Sequence, residues 1–170
     1  MAKKIVKYPD SILRQTAIPI DKISKDIFTF VDEMIETMLK EDGIGLAANQ
    51  VGSRMRLFVL NIEPHDAEPH PAVFINPEII NTAGHVIDEE GCLSLPELYL
   101  NIPRAQSVRL RAKNLYNEDL VYEMSGLLAR AAQHEIDHLN GVVIIDHVLP
   151  EEEGKVKDYL EKLTSCANKP

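Results

Sequence analysis

The segment QHEIDHLNG, Gln133 to Gly141, constrains the fold more tightly than any other, because it places His134 and His138 four residues apart with Glu135 directly after the first. Four residues of α-helix turn the chain by about 400°, so in a helix the two imidazoles leave nearly the same face, one turn apart, and can meet a single cation. Glu135 then lies about 100° round, within reach of a water on that cation but poorly placed as a third ligand to it. The plainer alternative is two unrelated surface histidines. The flanks favour a helix. Ser125 stands as N-cap before GLLARAAQHEIDHL, Asn140 and Gly141 end it, and Ala129, Ala131 and Ala132 are strong helix formers that let neighbouring elements approach closely.

Two imidazoles do not complete a catalytic site, which usually has three protein ligands and a water. A third histidine six residues after the second is excluded, since that position is Ile144. A downstream glutamate would be Glu161, which belongs to a lysine-rich helical tail; His147 and His85 carry no supporting pattern. Cys92 is the stronger candidate. It sits in EEGCLSLP beside Gly91, a loop-like setting where backbone can approach a ligand closely, although a lone cysteine is more often a small buried hydrophobe.

The remaining pattern indicates an α+β domain. SKDIFTFVDEMIETMLKEDG carries Ile27, Phe30, Val31, Met34, Ile35, Met38 and Leu39 at helical spacing, with Ser24 as N-cap and Gly43 past the end. MRLFVLNI is β-like and is followed by a proline-rich connection from Glu63 to Pro71 that holds His65 and His70 as solvated loop residues. AVFINP and EIINTAGHVIDEEG look like strands broken by Pro77 and Gly84, and AQSVRLRAK alternates as a half-buried strand with LVYEM as its hairpin partner. After Pro150, EEEGKVKDYLEKL gives a second amphipathic helix with Val156, Tyr159, Leu160 and Leu163 on one side.

At 170 residues the chain can hold a core without a structural metal, so a metal here is expected to be catalytic. No apolar run approaches the roughly 20 residues a membrane span needs, and MAKKIVKYPDSIL has no signal-peptide core, so a cytoplasmic protein with no membrane partner is expected. A net charge of -9 without a basic block argues against free nucleic acid as a partner. Cys92 and Cys166 lie far apart, and no disulfide is expected in a reducing compartment, which leaves Cys92 free to be a thiolate.

Three segments in order, GIGLAANQ (Gly43 to Gln50), EGCLS (Glu90 to Ser94) and QHEIDHLNG, resemble the signature motifs of the peptide deformylase family, and VKYPDSILRQTAIPI is similar to that family's opening. The resemblance covers about residues 5 to 148; it implies a catalytic domain over 1–148, with 149–170 a C-terminal amphipathic helix and tail of the same domain. It implies antiparallel β-sheets packed around a central helix carrying both histidines. It also implies Cys92, His134 and His138 as metal ligands, usually to Fe²⁺, with Ni²⁺, Co²⁺ or Zn²⁺ able to take the same place. Glu135 would be the catalytic carboxylate, and the side-chain amide of Gln50 and backbone amide of Leu93 would face the developing oxyanion.

The implied substrate is an N-formylmethionyl nascent peptide and the implied product formate. Substrate contacts are expected from Gly45, where a side chain would block the peptide backbone, and from Gly91. Ile44, Ile87 and Leu127 are expected to form the methionine pocket, with Arg130 making its rim partly cationic. Glu90 should accept a hydrogen bond from a ligand imidazole, and Asp137 should pair with Arg104. The tail from Pro150 holds four lysines against five acids, so any ribosome contact is expected to be weak. Rival readings are a zincin-like peptidase and a metal-binding protein without turnover.

Overall fold

The computed structural model describes residues 1–167, with side chains through Ser165. The side chain of Cys166, expected to be unpaired, falls outside the described residues. Helix α1 spans Lys25–Lys40, α2 Gly126–Leu139 and α3 Glu153–Ala167; the strands are β1 Gly45–Ala47, β2 Leu57–Asn61, β3 Pro71–Ala83, β4 Val86–Cys92, β5 Leu95–Arg104, β6 Ser107–Lys113 and β7 Asp119–Ser125. Five strands form an antiparallel sheet in the order β1-β2-β3-β6-β7, and β4 with β5 makes a separate two-stranded sheet. Among the described residues no helix is long and apolar enough to cross a membrane.

Strand β2 explains the layering. Leu57, Phe58, Val59 and Leu60 are all fully buried, yet side chains alternate across a strand. Leu57 and Val59 therefore pack with Ile27, Val31, Met34 and Met38 of α1, while Phe58 and Leu60 pack on the opposite face with Ala129, Ala132, Ile136 and Leu139 of α2. The large sheet thus lies between α1 and α2. Phe58 stacks on Phe74 at 4.8 Å between ring centroids, and Tyr122 meets Phe74 edge-on. A third core joins Leu95, Leu98, Leu100 and Ile102 of β5 to Leu13, Val143, Ile144 and Val156, so α3 covers the two-stranded sheet from outside.

Ser24 and Ser125 stand at the N-cap positions expected of them, in extended backbone, but neither side chain makes a capping hydrogen bond. Three expectations are corrected. Strand β3 runs through Pro77, because a register shift between Ile75 and Glu78, with Asn76 at φ 51°, takes the proline out of the ladder. Gly91 and Cys92 end β4 instead of lying in a loop, so only Leu93 and Ser94 make the turn. Strand β5 was not expected, since Pro96 and Pro103 interrupt its pattern. In a two-stranded sheet every strand is an edge, and a residue lacking N–H can face outward at no loss.

Candidate metal centre

Helix α2 carries both histidines into the space between the large sheet and the β4-β5 sheet, and the end of β4 brings Cys92 to them. Cys92 Sγ lies 3.2 Å from His138 Nε2, and the donor atoms of Cys92, His134 and His138 all fall within 4.8 Å of one another. The two imidazole rings meet edge-on, 4.9 Å between centroids. The other candidates for a third ligand lie elsewhere: His147 Nε2 pairs with Asp137 Oδ2 at 2.7 Å, and His85 and Glu161 are exposed. Glu63, Asp66 and His70 also converge, but on an exposed loop.

The surroundings orient these donors. Glu90, on β4, accepts from His134 Nδ1 at 3.0 Å, as expected, which leaves Nε2 as the nitrogen available to a cation. Arg104 donates to Glu90 from Nε at 2.8 Å and Nη2 at 3.0 Å and also reaches Asp137, so the expected Asp137 pair is part of a larger buried network. Burial alone would raise Glu90, but the bonds from His134 and Arg104 overcome it and bring its pKa down to about 2. Burial would likewise push the Cys92 thiol up; the two histidines beside it bring it well below its ordinary value. The same thiolate, together with Glu90, holds His134 well above the usual imidazole range despite its burial. A lowered cysteine suits a metal ligand, which binds deprotonated. The donor set, one sulfur and two nitrogens, fits a borderline divalent ion.

A cavity of about 560 Å³ opens beside these groups, lined by Ile44, Gly45, Gln50, Gly91, Leu93, Leu127, Arg130, His134 and Glu135 among others. Glu135 is 4 % exposed, its Oε2 has no hydrogen-bond partner, and burial, opposed by the histidines, pushes its carboxyl up to about 7. A Cβ at Gly45 would lie 2.5 Å from Glu135 Oε1, so the glycine makes room for this carboxylate as much as for any ligand. Gln50 is fixed by accepting from Ala47 N at 2.8 Å, with Nε2 3.3 Å from Ser94 Oγ and 3.7 Å from Cys92 Sγ. A Cβ at Gly91 would meet the Tyr99 ring at 2.8 Å.

One substrate expectation changes and another gains a second part. Ile87 is 52 % exposed and does not line the cavity. Four residues along an extended strand put it roughly 13 Å from Gly91, beyond the site. Arg130 lines the cavity, but its guanidinium donates to Glu90 and to backbone carbonyls of the β4-β5 sheet. Sequence reasoning gave Gln133 and Asn49 no role: Gln133 pairs through both side-chain atoms with the Ala105 backbone, and Asn49 donates to the His138 carbonyl. Their partners are main-chain atoms, which leave no residue signature.

A family model described as polypeptide deformylase matches residues 2–154. The chain belongs to the polypeptide deformylase family. A peptide deformylase of Tolumonas auensis is 42% identical over 159 residues, which are 94% of each chain. The crystal structure of a Legionella pneumophila deformylase superposes with a TM-score of 0.88 at 36% identity over the whole of both chains. That of Thermotoga maritima gives 0.82 at 40% identity, covering 88% of this chain and 99% of the other. Deformylases are metallohydrolases that remove the formyl group from nascent chains, and this is the activity of the chain.

Proposed function

We propose that Cys92, His134 and His138 hold the metal, that Glu135 is the general acid and base, and that Gln50 and Leu93 stabilise the oxyanion. The observation that carries this reading is the convergence of the three donors beside a buried carboxylate without a hydrogen-bond partner on one oxygen. A divalent ion held by these residues would supply Lewis acidity and lower the pKa of a water beside it towards neutrality. Glu135 takes the proton as the water oxygen bonds to the formyl carbon, then passes it to the amine nitrogen as the C–N bond breaks; the products are formate and a free amino terminus. The Gln50 amide and the Leu93 N–H donate to the formyl oxygen as it gains charge, each such donor typically worth about 3 to 4 kcal/mol. Ile44, Gly45, Gly91 and Leu127 contact the peptide, with Ile44 and Leu127 against the methionine side chain.

Fe²⁺, the metal the family resemblance implies, is the proposed one; thiolate and imidazole suit it, and equally suit Ni²⁺, Co²⁺ or Zn²⁺. The proposed setting is the cytoplasm, with formylmethionyl chains as substrate, and a tail of four lysines and five acids supports no more than weak contact with a ribosome. Formyl-Met-Ala-Ser should release formate while its acetyl analogue stays intact. Cleavage of internal peptide bonds would instead select the peptidase reading. Cys92→Ala should lose the metal on elemental analysis, and full occupancy in that variant would overturn the ligand set.

A further inference from the structure

Arg130 lies one helical turn before His134, and its side chain is only 7 % exposed. Nη1 donates to Glu90 Oε1 at 2.8 Å, to the Ile102 carbonyl at 2.9 Å and to the Asp88 carbonyl at 3.3 Å, while Nη2 reaches the Val86 carbonyl at 3.3 Å. Val86 and Asp88 belong to β4 and Ile102 to β5, so one guanidinium ties α2 to both strands of the small sheet. That sheet supplies Cys92, and α2 supplies His134 and His138. The same group holds Oε1 of the Glu90 carboxylate, whose Oε2 accepts from His134. A planar fork that reaches several acceptors in different directions suits arginine and not lysine.

We propose that Arg130 is a positioning residue for the metal centre, one that sets the spacing between the strand bearing the sulfur ligand and the helix bearing the two nitrogen ligands. The inference rests on the ligand assignment above. It goes beyond the expected place at the cavity rim, because the hydrogen bonds of the guanidinium run to protein groups that hold ligands. Metal sites demand ligand placement to within about 0.2 Å, and removing a group that orients a ligand typically weakens metal binding 10- to 100-fold.

The test uses Arg130→Met, which keeps length and an apolar cavity wall, and Arg130→Lys. Zn²⁺ affinity is read by competition with a chromogenic chelator on metal-stripped protein, and KM and kcat on the zinc-saturated enzyme with formyl-Met-Ala-Ser. The expected result is Zn²⁺ binding weakened about 10- to 100-fold in Arg130→Met, less in Arg130→Lys, with KM changed less than about twofold. Leu110→Ala, in the core on the far side of α2, serves as a control for general loosening and should bind Zn²⁺ as the parent does. Unchanged Zn²⁺ affinity with a raised KM would overturn the proposal, as would an equal loss of affinity in Leu110→Ala. Should Arg130→Met fail to fold, Arg130→Lys decides alone on the same readout. Zinc retained in Cys92→Ala would remove the ligand set and the proposal with it, whereas zinc lost there but kept in both Arg130 variants would sink the proposal only.

Discussion

Towards the five-stranded sheet, α2 presents Ala129, Ala132, Ile136 and Leu139 to Phe58, Leu60, Phe74 and Leu110; towards the small sheet it presents Arg130, His134, Asp137 and His138 to Glu90, Cys92 and Arg104. The first contact is apolar and without preferred direction, and tolerates change so long as volume is kept. The second is built from bonds with defined angles, and each group there has a partner that another group shares. Burial fixes that the helix is present and which way it faces, and the polar side fixes where three donor atoms meet.

The largest expected effect is on the polar side. Glu135→Gln keeps shape and removes proton transfer, so kcat should fall about 10²- to 10⁴-fold in a formate assay, with metal content retained on elemental analysis. The melting temperature should not fall, because a buried carboxyl pushed up to about 7 gives way to a neutral amide. Activity within tenfold of the parent would remove Glu135 from its role. On the apolar side, Phe58→Ala should cost about 3 to 5 kcal/mol in urea unfolding, while the folded fraction keeps its Zn²⁺ affinity. A loss of affinity at low denaturant would show that the two sides of α2 are not separable. A smaller effect is expected from Glu90→Gln, which should weaken Zn²⁺ binding about 10- to 100-fold by chelator competition. Unchanged affinity would mean that the His134 bond is dispensable.

The same contrast accounts for what the sequence revealed. The apolar faces of α1 and α2 and the alternation of β6 are written as periods of 3.6 and 2, and the buried run of β2 appears as continuous hydrophobicity because each of its faces meets a different helix. The pairing of His134 and His138 on one helix face was legible because a helix leaves them only one arrangement. Strand β5 was not, since Pro96 and Pro103 read as breakers unless the strand is known to be an edge, and β3 was cut at Pro77 for want of a visible bulge. The hydrogen bonds of Arg130 and Gln133 went unforeseen for another reason. Most of their acceptors are backbone carbonyls, which every residue possesses and no motif records.

Gly45 has an outcome for any contest between this enzyme and a molecule lodged in its cleft. Even alanine, the smallest exchange, would set a carbon 2.5 Å from a Glu135 oxygen, so any exchange at that position has to push the carboxylate aside. Tyr99 and Leu127, which line the same cavity, are 53 % and 41 % exposed, so an exchange there meets far less packing.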